Sequence, residues 1–253
     1  MFNSNFFIYF LIHKSLAISD VQDEAGSLMW TQVMVAKNFL ENDNLTEISK
    51  VNLKIICGMS CAKKPFCSIW CHDEIETCIL SSIVVSPNYV ETSPDSTKCY
   101  TKKRRDLAVG SISSSSTLWS PDSKSEFSAD GIFLKDFGLT FKTKLLKLPW
   151  VLYNLKKPAT IYEIIVSTSM PPQSCKEIEI RIGNDLVTNE DFSAYESLDN
   201  IKNTCDQYQY NPLMYFTPSS PMKGQFIVLI RHGNKERSRI KLNYIEIDGI
   251  YVA

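Results

Sequence analysis

The residues from Cys57 to Cys78, CGMSCAKKPFCSIWCHDEIETC, hold five of the chain's eight cysteines within twenty-two positions. Their spacings are C-x3-C, x5-C, x3-C and x6-C, and a sixth cysteine follows at Cys99. So dense a cluster either closes disulfides in an oxidising compartment or binds a metal through thiolates in a reducing one. Structural zinc sites use C-x2-C pairs or pair them with H-x3-H; this stretch has neither, and only His72 lies nearby. The pattern favours disulfides, and the even total agrees with it. A chain of 253 residues has room for two domains, so a small stapled unit beside a larger one is the first expectation.

The amino terminus bears on the compartment. Phe6 to Ile12 is an apolar run, and Ser15-Leu16-Ala17 places small residues at the positions a signal peptidase reads, so residues 1–17 are expected to be a signal peptide. The charged pair His13-Lys14 follows the apolar run instead of preceding it. No other run approaches the eighteen or so apolar residues of a membrane span. Asn44-Leu45-Thr46 makes Asn44 a glycosylation acceptor in a secreted chain. A formal net charge of -1 supplies no long-range field for a polyanion, which argues against nucleic acid as a partner.

In the first unit, Leu28 to Val35 reads as a strand rich in β-formers, ended by the polar turn at Asn42 to Asn44. From Glu47 to Ala62 the period changes. Ile48, Val51, Ile55 and Met59 recur three or four apart, as do Leu53, Ile56, Cys57, Ser60 and Cys61, which predicts one helix with a broad apolar face. Pro65 ends it. Phe66 to Cys71 alternates like a half-buried strand with Cys67, Ile69 and Cys71 on one side; His72 to Glu76 is a polar turn, and Thr77 to Val85 is the return strand. The acidic residues Asp73, Glu74 and Glu76 read as a solvated turn in preference to a cation site.

A helix laid on a hairpin and tied to it by cysteines resembles the PAN/apple module, over residues 18–101. That resemblance implies the pairs Cys57 with Cys78 and Cys61 with Cys67, and leaves Cys71 and Cys99 as a further pair by arithmetic. The bridge that joins the two ends of many apple domains has no counterpart, because no cysteine precedes Cys57. Modules of this kind bind proteins or carbohydrates.

Residues 102–106 begin with KKRR, the densest charge run in the chain, followed by a serine-rich stretch from Ser111 to Ser125; together they mark a linker. Residues 107–253 show short β-rich runs and no long amphipathic helix. Trp150 to Leu155, Ile161 to Val166, Glu177 to Ile182, Phe226 to Ile230 and Ile245 to Ile247 are the candidate strands, so an all-β sandwich or jelly roll is expected. Glu177 and Glu179, beside Arg181, read as solvated surface.

The order of SSSSTLWSP, Ala129-Asp130-Gly131, Pro149-Trp150, IEIRIGN from Ile178, GQFIVLI from Gly224 and IEIDG from Ile245 is similar to that of galactose-binding-like jelly rolls, nearest to F-type lectins, with discoidin-type domains sharing the fold. That likeness implies a fucose site of one His and two Arg; the positions fall on Lys142, Ser167 and Ser174, so the fucose triad is not retained. It also implies a structural calcium. Asp130 matches its aspartate, and the glutamate position falls on Tyr244, with Glu246 two residues further along the same face. Between Ile132 and Trp150, Lys135, Lys142 and Lys144 interleave with apolar residues where the family's sugar-contacting loops lie; the pattern reads first as exposed lysines between buried strand residues, and alternatively as a contact for an anionic glycan or membrane surface. Cys175 and Cys205 bracket the IEIRIGN strand and pair by parity.

No nucleophile, base or open metal set passes as an active site: His72 and His232 are the only histidines beyond His13. The expectation is a secreted, non-enzymatic binder of glycans or glycoproteins with a lectin-like second domain. Its rival is a protein-interaction, adhesion or matrix role with no sugar bound.

Overall fold

A computed structural model describes residues 30–43, 45–101, 106–133, 140–168, 178–198, 213–232 and 238–252. Residues 1–17, expected as a signal peptide, together with Asn44, residues 102–105, Lys135, Ser174, Cys175, Glu177 and Cys205, lie outside the described residues.

The amino-terminal part is built from β1 (Thr31–Ala36), the short helix α1 (Lys37–Glu41), β2 (Glu47–Lys50), α2 (Lys54–Lys63), β3 (Ile69–His72), β4 (Thr77–Ser81), β5 (Val84–Val85) and β6 (Ser96–Thr101). Five of the strands form one antiparallel sheet in the order β1-β6-β3-β4-β2. Disulfides join Cys57 to Cys78, Cys61 to Cys67 and Cys71 to Cys99. The first two fasten α2 to the sheet and to the turn after it, and the third links directly opposed residues of β3 and β6.

The sequence periodicity predicted one helix over Glu47 to Ala62, and the structure divides that stretch. Glu47–Lys50 is an edge strand paired with β4, and Val51 donates its N–H to the Glu76 carbonyl at 2.6 Å, so the helix begins at Lys54. Pairing to β4 overrides the helical spacing. The face of α2 that meets the sheet carries Cys57, Gly58 and Cys61, while Ile48, Ile55 and Met59 are exposed. A Cβ added at Gly58 would come within 3.0 Å of the Trp70 ring, so only glycine lets the helix sit this close.

The second difference is β3, which is buried on both faces instead of one. Trp70 faces α2 with Cys57, Cys61, Cys67, Cys78 and Leu80. Ile69 and Cys71 face the opposite way into a cluster with Val33, Val35, Leu40, Val85 and Cys99. Cys67, expected beside Ile69 and Cys71, lies on the helix side, because residues 64–67 form a turn before the strand. The His72–Glu76 turn is fixed by Asp73, whose Oδ1 accepts the N–H groups of Ile75, Glu76 and Thr77 at 2.9, 3.0 and 2.9 Å. The Thr77 hydroxyl and those amides hold its carboxyl well below the usual range.

The remaining strands are β7 (Ile112–Ser115), β8 (Ile132–Phe133), β9 (Phe141–Lys142), β10 (Trp150–Thr168), β11 (Ile178–Gly183), β12 (Glu196–Ser197), β13 (Leu213–Phe216), β14 (Met222–Arg231) and β15 (Lys241–Tyr251). The two strands expected at Trp150 to Leu155 and Ile161 to Val166 are one, β10, interrupted by a bulge between Asn154 and Ala159 where Lys156 adopts φ 69°. Before the bulge it pairs with β7 and β14, at Ala159, Thr160 and Ile161 with β14 and β15, and beyond them with β13 and β15. One bent strand thereby serves both layers of a β sandwich, with β12-β11-β14 continuing one layer and β9 edging the other. Ile161, Ile164, Val166, Ile180, Ile227, Leu229, Ile245 and Ile247 fill the space between the layers.

The return strand expected over Thr77 to Val85 is also two elements. After β4 the chain leaves the first sheet, and β5 pairs with β8 of the second part: Val84 opposes Phe133 and Val85 opposes Ile132. Ile132 enters the cluster around Val33 and Cys99. Ser86 donates its N–H to the Gly131 carbonyl at 2.7 Å, and the Asn88 amide donates to the Asp106 carbonyl at 2.9 Å.

Replacing Cys71 and Cys99 together with Ser removes a crosslink spanning 28 residues; chain entropy puts the expected loss at about 3.6 kcal/mol, measurable as a lower urea midpoint for the transition followed by tryptophan fluorescence.

Candidate functional site

At the open end of the sandwich, three backbone segments run side by side. Lys142 lies opposite Lys241 in the β9–β15 pair. Trp119 donates its N–H to the Lys142 carbonyl at 2.9 Å, and Lys144 donates to the Thr117 carbonyl at 2.8 Å. On the other side Thr143 donates its N–H to the Ile240 carbonyl, and its hydroxyl accepts the Ile240 N–H, both at 3.1 Å. Arg231 donates a guanidinium N–H to the Arg239 carbonyl.

Strand alternation then sorts the side chains. Phe141, Thr143, Ile240 and Leu242 are buried. Lys142, Lys144, Arg239 and Lys241 take the alternate positions on the outer face, with Lys144 the most exposed among them. Trp119 stands between them, 50% exposed, with the Arg239 guanidinium 4.0 Å and the Lys142 ammonium 5.7 Å from its ring centre.

No carboxylate pairs with Lys142, Arg239 or Lys241 among the described residues, and the Arg239 Nε is buried without an acceptor. Burial first, then the neighbouring Lys142 and Arg239 charges, push the Lys241 ammonium below its ordinary range. Like charges held this close, with a donor left unpaired, leave an anion's worth of electrostatic attraction unsatisfied. The half-exposed indole beside them is a flat apolar platform. Together they suit a ligand with a stackable ring face and an anionic group.

Lys142 is the residue of the sequence-derived lysine set that this cluster contains, with Lys144 adjacent; Lys135 is outside the described residues. Trp119, Arg239 and Lys241 escape the sequence reading. Ser167, at the position of a family arginine, is buried inside β10 and reaches no open surface.

Asp130 and Glu246 share the surroundings of Tyr244. Burial, then the charges of Asp106, Glu246 and Asp130, push its phenol well up, and the phenol donates to the Glu246 carboxylate at 2.7 Å. Asp130 accepts the Ile132 N–H at 3.1 Å, and burial pushes its carboxyl up to about 6. Among the described residues no three metal-ligating side chains converge, and Glu246 is already engaged by Tyr244, so these side chains do not by themselves form a calcium cage.

Glu179, expected as solvated surface, is mostly buried. It accepts hydrogen bonds from Arg181 at 2.7 Å and Ser197 at 3.0 Å and meets His232 at 2.5 Å. Burial opposes its charge, but these three partners outweigh it and hold its carboxyl down. The Ser197 hydroxyl donates to the carboxylate and makes no bond to the imidazole, so the group lacks a nucleophile paired with its base.

No protein-family model matches the chain, and no curated protein matches it. Among solved structures it is similar to a fucolectin from striped bass serum, Morone saxatilis (14% identity, TM-score 0.48, 71% of this chain covered), of which it spans 58%. It is similar also to a chitosan-binding module of a Paenibacillus sp. IK-5 chitosanase/glucanase (12%, TM-score 0.43, 58% of this chain and 100% of that one). A Streptococcus pneumoniae fucose-binding module gives 13% and TM-score 0.42, over 57% of this chain and 98% of that one. These likenesses are distant, and the sandwich assignment rests on the strand pairing itself.

An acid with a raised folded pKa contributes most stability below its ordinary value of 3.8, and that contribution is lost as pH climbs through about 6. Asp130→Asn keeps the acceptor for Ile132, so in chelator it should raise stability at pH 7 by about 2 kcal/mol and flatten the decline between pH 4 and 6, as read by urea unfolding across pH.

Proposed function

We propose that this chain is a secreted, non-enzymatic glycan-binding protein, and that its β sandwich takes an acidic sugar, sulfated or carboxylated, on Trp119 among Arg239, Lys142 and Lys241. The observation that carries the proposal is the cation cluster around a half-exposed indole, which has no carboxylate partner among the described residues. A pyranose ring presents one apolar face, which an indole covers, while its sulfate or carboxylate accepts the charge-assisted bonds that a guanidinium and two ammonium groups supply. Recognition through a fucose triad is not part of this reading, since Ser167 is buried at one of the three positions. Lys144 extends the same face, and Lys135 is proposed to contribute to the same site.

Secretion belongs to the proposal too. Three buried disulfides among the described residues support an oxidising compartment, and with it come the signal peptide of residues 1–17, the Cys175 to Cys205 bridge and glycosylation at Asn44. The first unit is proposed as a PAN/apple module ending at residue 101, with a helix fastened to an antiparallel sheet in support. Calcium is proposed only at the Asp130 carboxylate, completed by backbone carbonyls; adding calcium to chelator-treated protein should then raise the melting temperature, and Asp130→Asn should abolish that rise.

The sugar reading is tested on immobilised heparin and a glycan array. Trp119→Ala, a change at a half-exposed position, should weaken binding to sulfated glycans at least about tenfold, or 1.4 kcal/mol. Arg239→Gln should do the same and shift heparin elution to lower salt. Unchanged elution of both variants, or an array blank for acidic sugars, would remove the proposal.

A further inference from the structure

The amino-terminal unit carries a second concavity, on the side of α2 away from the sandwich. It is an open groove of about 480 Å3 between the helix and the aromatic residues of the sheet. Ile55, Gly58, Met59 and Ala62 form its helical wall, Trp30 and Trp70 the other. The two indoles meet edge to face with ring centres 5.9 Å apart, and Tyr100 stacks on Trp70 at 4.3 Å. Ile55 and Met59, at 70% and 54% exposure, are the large apolar residues that sequence periodicity would have turned inward. A pair of Trp rings and two exposed aliphatic side chains around one hollow form a binding surface for apolar matter.

One end of the groove is polar and its sign is clear. Lys54 is the charged residue in its lining; its ammonium lies 4.2 Å from the Tyr100 ring centre and donates to the Tyr100 hydroxyl. No carboxylate pairs with it among the described residues. Lys54 is also the first residue of α2, whose N-cap Leu53 provides no side-chain acceptor. The positive end of a ten-residue helix and an ammonium held against Tyr100, with the Glu74 carboxylate within electrostatic reach but not in contact, therefore lie at the same end of the groove. From Lys54 to Ala62 the apolar wall runs about 12 Å along the helix axis. In the floor, Trp70 is 5% exposed and its Nε1–H has no acceptor. The ring packs directly against Gly58, where an added Cβ would come within 3.0 Å of it, so the indole forms a closed floor beneath the helix.

From this arrangement we infer that the groove binds a free amphipathic anion: an aliphatic or aromatic body along α2, with a single carboxylate or sulfonate at Lys54 and the helix N-terminus. The length of aliphatic wall favours a hydrocarbon body, and the single lysine in the lining fixes the direction of the ligand.

Decanoate, kept below its self-association concentration, is the probe, titrated into the full chain by calorimetry and by tryptophan fluorescence. Saturable binding of one decanoate per chain is expected, with decylammonium and acetate each at least tenfold weaker. Met59→Glu, a change at an exposed position, should weaken decanoate more than tenfold, and Lys54→Gln should weaken it at least fivefold while narrowing the gap to decylammonium. Both variants should keep wild-type elution from heparin, which separates this site from the one on Trp119 and reports that the chain is folded. Absence of saturable binding, equal binding of decylammonium, or Met59→Glu behaving as wild type would overturn the inference. So would retention on anionic phosphatidylserine vesicles that decanoate fails to compete, which would make the surface a membrane contact.

Discussion

Strand β10 is the constraint on which the second half of the molecule depends. Its nineteen residues hydrogen-bond to β7, β13, β14 and β15, and the bulge at Asn154 to Ala159 turns it from one layer into the other. Everything beyond inherits its register. β15 is placed by β10, β9 is placed by β15, and the direct opposition of Lys142 and Lys241 follows from those two pairings. A slip of one residue in either would turn Phe141 and Leu242 outward and bury the lysines. The charge cluster is therefore held in place by core packing two strands away.

The two proposed binding surfaces use one contact, a cation against an aromatic ring, for opposite ends. Beside Trp119, several cations crowd a single ring that stands open to solvent, so charge dominates and the ring orients. Beside Trp70, a single cation closes the end of a long apolar wall, so area dominates and charge orients. Chains that carry two weak sites gain avidity when both can be engaged together.

Much of the architecture could be read from residue patterns because strands that bury one face write their period into the sequence. EIEIRI and GQFIVLI are of that kind, and Ile178, Ile180 and Ile182 do fill the core. The helix was harder. Ile48, Val51, Ile55 and Met59 carry a helical period, but the residues that pack are Cys57, Gly58 and Cys61, small side chains whose spacing is masked by larger neighbours left in solvent. Lys142 could be singled out from its mixed apolar and basic surroundings. Arg239 and Lys241 could have been found from the alternation of Arg239, Ile240, Lys241 and Leu242, which extends the final strand several residues upstream of Ile245. Trp119 could not: it sits in a serine-rich stretch, and its role comes from a pairing with residues more than twenty positions away.

The short ribbon of β5 and β8 has a mechanical meaning of its own. Val84 and Val85 are bonded across to Phe133 and Ile132, and the Ile132 side chain is seated among residues of the first sheet. Thr101 and Asp106 thus belong to parts that are already in contact. A protease cutting at the basic run between them would produce two polypeptides that remain clasped by a shared sheet, a shared apolar cluster and the Asn88 to Asp106 hydrogen bond. They would separate under denaturant and migrate as one particle in water.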